Sequence, residues 1–305
     1  MSASWKLTAF APKPVIQAAL LAHDEIEDWD FRLVISGREV AVDRPDEWVL
    51  EAWYPSKPGR TQLADIAGLF AGAPPPIGVE QLGDHDWLTL SQQSVEPIDA
   101  GPFYVHTPDF PPRDEAINFA IPAAQAFGTG HHPTTAGCLE TLAAMKASGM
   151  VVHDLADIGT GTGLLAFAGL ALWPYARATG SDIDPVCGPV VEDNARLNAV
   201  PLGPERGEMT MVIAGGMRDP LLELRGPYDL LIANILAGPL VELAPDFAQA
   251  VKPGGSVLLA GLLTTQEPQV RRAYRRAGFR IAARLERGDW SILWLRKRRG
   301  QWQRA

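Results

Sequence analysis

Residues 150–185, MVVHDLADIGTGTGLLAFAGLALWPYARATGSDIDP, decide the fold. The run from Val151 to Ile158 is apolar, partly β-branched and of strand length, and three alternate glycines follow it: Gly159, Gly161 and Gly163. Leu164 to Trp173 then reads as a helix, and Ala176 to Ser181 as a second short strand ending in Asp182 and Asp184. Glycines at such a turn let the backbone bend tightly and approach a ligand closely, because no Cβ stands in the way. Carboxylates at the end of the second strand can accept hydrogen bonds from both hydroxyls of a ribose. The stretch therefore predicts a site for an adenosine-containing cofactor.

The glycines alone leave two cofactor classes open. Gly161, Gly163 and Ala166 satisfy the relaxed G-x-G-x-x-G/A pattern of dinucleotide-binding folds. Asp157 through Gly163 also reads D-x-G-x-G-x-G, the pattern of class I methyltransferases that use S-adenosyl-L-methionine. The leading acid and the third alternate glycine favour the second reading. A bland glycine-rich turn is the structural alternative.

Downstream, strand and helix patterns alternate regularly. Val186 to Asn198 reads as helix, Met209 to Ala214 and Tyr228 to Asn234 as strands, and Ala237 to Val251 as a helix stopped by Pro253-Gly254-Gly255. Ser256 to Leu262 is a strand, Gln266 to Ala277 a helix, and Phe279 to Leu285 and Trp290 to Leu295 are strands. Such alternation predicts a doubly wound, mostly parallel α/β sheet. The last two strands are separated only by residues 286–289 and should form an antiparallel hairpin. Seven strands ending that way match a class I, Rossmann-like methyltransferase better than a dinucleotide dehydrogenase.

Upstream, Pro14 to Ala22 and Gln62 to Phe70 read as helices, and Phe31 to Ile35, Trp48 to Trp53 and Ile77 to Gln81 as strands, which predicts a small α+β domain. Phe103 to His106 and Ile117 to Ile121 are further strand candidates, with Pro108, Pro111 and Pro112 forbidding helix between them. The expected organisation is an α+β domain over residues 1–85, a linker over 86–98 and a catalytic domain over 99–305.

The chain has 305 residues, 47% of them hydrophobic, and a net charge of −9. No apolar run approaches the roughly 18 residues of a membrane helix, and MSASWKLTAFAPKP lacks the pattern of a signal peptide. The two cysteines, Cys138 and Cys187, match no C-x-x-C spacing and are expected reduced and buried, as in a cytoplasmic protein. Residues 1–98 carry 15 Asp and Glu against 7 Lys and Arg, which favours a basic partner and argues against nucleic acid as a first contact, although acidity also serves solubility alone. The basic run Arg296 to Arg304 is expected to be a frayed, solvated end.

Two further segments carry chemistry. Asn234, directly after an apolar strand, is either a turn residue or a group facing the reacting centre. The loop A-F-G-T-G-H-H-P-T-T, residues 126–135, precedes a helix running to about Ser148 and would be placed to close over a ligand. Its adjacent His131 and His132 point in different directions and have no third partner at a useful spacing, so no metal is expected. Asp184 ahead of Pro185 also has the pattern of a helix start.

Taken together, AFGTGHHPTT, DIGTGTGLLAFA, SDIDP with VEDNARLNAV, ANILAGPLVELAP and VKPGGSVLLAGLL make the chain resemble the PrmA family, the methyltransferases of ribosomal protein L11. The match covers most of residues 120–262, the first and fourth segments being specific in combination. The resemblance implies a small substrate-recognition domain, a linker and a catalytic domain that moves methyl groups from S-adenosyl-L-methionine to lysine side chains and the N-terminal amine of L11; a monomer is expected. It carries cofactor contacts onto Thr135, Gly159, Asp182 and Asn234; Phe127 in the loop and Gly161 in the turn are expected to contact the cofactor as well, and Asn234 is expected to position the amine. The chain departs from it at Thr160, where many members have Cys, and near Gly288-Asp289-Trp290, where the family has a Glu-Trp pair. A relative methylating lysines of another protein, such as an electron-transfer flavoprotein subunit, would keep the same catalytic sites. A nicotinamide-dependent oxidoreductase lacks support from any Tyr-Lys or His-Asp pair, and a decayed binding module is at odds with the intact glycine turn, Asp182 and Asn234.

Overall fold

The computed structural model describes residues 4–24, 26, 34–41, 44–54, 56–82, 97–122 and 133–299. The chain packs as two units, residues 1–93 and 94–305. In the first, strand β1 (Ser4–Pro12) is followed by α1 (Lys13–Asp24), β2 (Val34–Ala41), β3 (Arg44–Tyr54), α2 (Arg60–Gly68) and β4 (Ile77–Leu82). The strands form an antiparallel sheet in the order β2-β3-β1-β4. Leu7 and Ala9 stand opposite Ala52 and Leu50, and all four pack on one core with Ile16 and Ala19 of α1 and Ile66 of α2.

Two details of this unit depart from the sequence expectations. β1 lies inside the sheet although its composition, with Ala9 and Ala11, is a weak strand signal; its pairing with β3 and β4 overrides propensity. The strand expected at 31–35 begins, within the described residues, at Val34 and runs to Ala41, because it pairs along β3 as far as Arg44. Most of the connector expected at 86–98 lies outside the described residues.

The second unit opens with β5 (Ile98–Ala100), β6 (Phe103–His106) and β7 (Ile117–Ala120), a small sheet in that order, and α3 (Pro133–Ala147). There follow β8 (Asp154–Ile158), α4 (Leu164–Leu172), β9 (Arg177–Asp182), α5 (Cys187–Leu197), β10 (Met209–Ile213), α6 (Pro220–Arg225) and β11 (Tyr228–Asn234). The chain continues through α7 (Ala237–Glu242), α8 (Ala244–Ala250), β12 (Val251–Leu263), α9 (Glu267–Arg276), β13 (Phe279–Arg287) and β14 (Trp290–Lys297). The large sheet has seven strands in the order β10-β9-β8-β11-β12-β14-β13, parallel from β10 to β12, with β14 antiparallel to both its neighbours. This is the class I methyltransferase layout.

The two-residue period of the strands divides the core. Leu155, Leu230, Ile232 and Leu258 face Leu139 and Leu142 of α3 and Phe167 of α4. Their alternates Ala156, Leu231, Ala233 and Leu259 join Leu240, Phe247 and Tyr274 on the opposite face. Both faces are covered, which is why these strands read as apolar runs rather than as alternation.

Four expectations in this unit are corrected. The first core strand starts at Asp154, not Val151: the amides of His153 and Asp154 donate to Asp229 Oδ2 at 2.9 and 3.0 Å, and Val151 is 66% exposed. The helix expected over 237–251 is broken at Leu243, because Pro245 has no N–H to continue the ladder. β12 begins at Val251 and passes through Pro253-Gly254-Gly255 with a register shift, Gly254 taking φ +84°. The basic tail is ordered as far as it is described: Arg296 and Lys297 lie in β14, and the Arg298 amide donates to the Gly278 carbonyl at 3.0 Å. No helix of the described residues is long and apolar enough to cross a membrane.

Candidate functional site

Strand order reverses between β8 and β11, since β9 lies on one side of β8 and β11 on the other. Loops at the carboxyl ends of strands around such a point splay apart and leave a crevice. The glycine turn leaves β8 there. The amides of Gly159 and Thr160 donate to the Ser181 carbonyl at 2.8 and 2.9 Å, so the turn is tied to the end of β9. Gly159, Gly161 and Gly163 have φ of +73°, +54° and +85°, a left-handed path that only glycine follows without strain.

Side chains hold the same turn from below and beside. Asp157, 1% exposed, accepts from Thr160 Oγ1 at 2.7 Å. Burial pushes its carboxyl up to about 7, against the lowering effect of the Thr160 and Ala166 donors, and the charge of Asp182 adds to the rise. Asn194 of α5, fully buried, donates to the Thr162 carbonyl at 3.0 Å.

Asp182, at the end of β9, receives the Gly161 amide on Oδ2 at 2.9 Å and the Asp184 amide on Oδ1 at 3.1 Å. Each carboxylate oxygen keeps a lone pair after these bonds. Asp184 takes the other part read from the sequence: its Oδ1 accepts the Val186 amide at 2.9 Å where α5 begins. Cys187 is half-buried rather than buried, and its thiol, pushed up to about 12 by burial and by Asp182, is a protonated donor to that carboxylate. Cys138 is fully buried in α3.

Thr135 and Asn234, 99 residues apart, meet across the crevice: Asn234 Nδ2 donates to Thr135 Oγ1 at 3.5 Å, a long hydrogen bond. Thr135 lies in the first turn of α3 with 3% exposure, and Asn234 ends β11. Sequence reasoning passed over Ile235, which locks this strand end. A Cβ on Gly159 would stand 2.3 Å from Ile235 Cγ2, and a Cβ on Gly261 would stand 2.4 Å from the Ile235 carbonyl oxygen. Glycine inside the β12 pattern, at φ +83°, was the available signal for that close approach. Asp157 was legible only as the acid leading the glycines.

The structure thus brings Gly159, Gly161 and Asp182 together at one strand end and Thr135 with Asn234 at the neighbouring one. Phe127, His131 and His132 lie outside the described residues. Among the described residues no cluster of three or more His, Cys, Asp or Glu could hold a metal.

The family model described as Ribosomal protein L11 methyltransferase (PrmA) matches residues 27–298. A protein of Caulobacter sp. (strain K31) named Ribosomal protein L11 methyltransferase is 39% identical over 299 residues, 95% of this chain and all of its own length. One of the same name from Rhizobium meliloti (strain 1021) is 42% identical over 224 residues, 72% of this chain and 74% of that protein. Among solved structures, the ribosomal protein L11 methylase of Lactobacillus delbrueckii subsp. bulgaricus superimposes with a TM-score of 0.56 at 26% identity, over 66% of this chain and 98% of that one. The chain belongs to the ribosomal protein L11 methyltransferase (PrmA) family.

Proposed function

We propose that this enzyme methylates amines of ribosomal protein L11, lysine side chains and the N-terminal α-amine, with S-adenosyl-L-methionine as donor, in the cytoplasm. The observation that carries the reading is the joined pair of strand ends. A positive-φ glycine turn is locked to a carboxylate at the end of β9, and a polar Thr135–Asn234 contact stands at the end of β11. The residues fit the donor: a positive-φ glycine turn with no side chain in the way of a ligand, and an acid that retains acceptor capacity after taking the Gly161 and Asp184 amides and the Cys187 thiol.

In this reading Gly159 and Gly161 let the turn lie against the cofactor, Asp182 accepts from its ribose hydroxyls, and Thr135 and Asn234 close the site beside it. When bound, the donor supplies an electrophilic methyl group on a sulfonium, which an amine nitrogen takes by in-line displacement. The chain's own task is then to deliver a neutral, oriented amine. Deprotonating a lysine of pKa about 10.4 at pH 7 costs about 4.6 kcal/mol, whereas an α-amine near 7.8 costs about 1 kcal/mol. Water exclusion favours the neutral amine, and the Asn234 side-chain oxygen can accept one of its hydrogens and aim the lone pair. The proton released by the amine passes to solvent, so no dedicated acid–base pair is needed.

The unit of residues 1–93 is assigned to recognition of the protein substrate, its acidic excess suiting a basic partner. Tandem mass spectrometry of methylated L11 tests the amine assignment: methyl groups are expected on lysine side chains and on the N-terminal nitrogen, and methylation confined to oxygen or to other side chains would refute it. A chain lacking residues 1–93 should bind the donor and leave L11 unmodified. Full-rate methylation by it would remove the recognition role.

A further inference from the structure

Charge along the edge of the large sheet is segregated. Toward the β13–β14 turn three arginines are neutralised: Arg284 pairs with Glu267 and Glu286, Arg287 with Glu140, and Arg271 with Glu267. At the other end of the same hairpin six exposed arginines gather, and among the described residues none of them makes an ion pair: Arg275, Arg276, Arg280, Arg296, Arg298 and Arg299.

The backbone places them together. Arg275 and Arg276 end α9, and the Gly278 amide turns back to the Arg275 carbonyl at 3.2 Å. The Arg298 amide in turn donates to the Gly278 carbonyl at 3.0 Å. Arg280 of β13 stands directly opposite Arg296 of β14. Arg296 Nη2 donates to the Gly254 carbonyl at 3.4 Å, and Arg299 lies against the same glycine. Like charges directly opposite on one sheet destabilise it, so this arrangement costs stability in the free protein. Charged edge strands do guard against edge-to-edge pairing. That accounts for Arg280, but not for the cations at the end of α9 or after β14.

We propose that this corner of the catalytic unit binds RNA through its sugar–phosphate backbone. Guanidinium groups present planar forks that pair with phosphate oxygens, and a polyanion removes the mutual repulsion of several cations at once. A protein partner would call for a buried aromatic or apolar anchor. Here the exposed large hydrophobic residue on the same strand is Ile281, 40% exposed, with the arginines around it. The proposal does not depend on which protein is methylated. It assigns this edge a partner that the overall charge of −9 argues against, because net charge averages over an acidic first unit and this basic corner.

The test is titration of the full chain into a fluorescent RNA hairpin at several salt concentrations. Binding should weaken by roughly 10²-fold between about 50 and 200 mM salt, as release of counterions from about four phosphates requires. The variant Arg275→Glu/Arg280→Glu/Arg298→Glu should lose this binding while keeping its affinity for S-adenosyl-L-methionine, which reports an intact fold. The corresponding Gln triple variant should lower the salt slope by about 2–3, and the Lys triple variant should keep it. Equal RNA affinity in the wild type and the Glu variant, or no salt dependence, overturns the proposal. So does tighter binding of a poly-glutamate peptide or of anionic phospholipid vesicles than of the hairpin.

Discussion

The amide of Gly161 donates to Asp182 Oδ2 at 2.9 Å, joining two residues 21 apart in the chain into one unit of the site. The bond makes the shape of the glycine turn and the aim of the carboxylate depend on each other. Asp182→Ala should therefore weaken S-adenosyl-L-methionine binding by about 1–3 kcal/mol, through lost ribose bonds and a loosened turn. Calorimetry measures this directly, and an unchanged dissociation constant would remove Asp182 from the site.

Gly159→Ala should destabilise the catalytic unit by about 2–4 kcal/mol, the sum of a left-handed backbone and an overpacked contact. The added Cβ would stand 2.3 Å from Ile235 Cγ2 at φ +73°. Urea unfolding followed by tryptophan fluorescence gives the number. A loss below about 0.5 kcal/mol, the range of ordinary surface substitutions, would mean that Ile235 moves aside freely.

Asp157 sets a pH dependence of definite sign. Its folded-state carboxyl is raised from 3.8 to about 7, so the folded protein holds a proton that the unfolded chain releases. Its contribution to stability is full below about pH 4 and is lost as pH rises toward 7. Asp229 and Glu267 work oppositely. Against the effect of burial, Asp229 is depressed by Lys252 and the His153 and Asp154 amides and Glu267 by Ser291 and Arg284, and their stabilisation is lost as pH falls through their folded values. Asp157→Asn should flatten the stability profile between pH 4 and 7 and raise stability at pH 8 by on the order of 2–4 kcal/mol. Chemical denaturation across that range checks it, and a profile unchanged by the substitution would refute the assignment.

The second strand end was legible from residue type alone, but its partner was not. Asn after the apolar run of β11 and Thr after the histidine loop are separate marks in the sequence; only the packing of α3 over β11 brings them within 3.5 Å. The parallel core could be read because runs such as Leu230–Ala233 are buried on both faces. The helix break at Leu243 lies in Pro245 itself, which an apolar period spanning it conceals. β1 was obscured by Ala9 and Ala11, whose strand character comes from neighbours distant in sequence. The basic corner was hidden differently: Arg275 ends α9, Arg280 lies in β13 and Arg298 follows β14, and no single run of sequence displays them as one surface.

Asn234→Ala should lower the turnover number on L11 by on the order of 10²-fold, as expected where a positioning group is lost, with a smaller effect on donor affinity. Single-turnover kinetics with saturating donor separates the two effects. A loss confined to donor affinity would restrict Asn234 to holding the cofactor.

The central claim is methyl transfer to amines of L11, and intact-mass spectrometry of purified L11 incubated with the full chain and S-adenosyl-L-methionine addresses it most directly. The account predicts mass increments in steps of one methylene, abolished when the amines of L11 are acetylated beforehand. Unmodified L11, in the presence of an enzyme whose donor binding is verified by calorimetry, would contradict it.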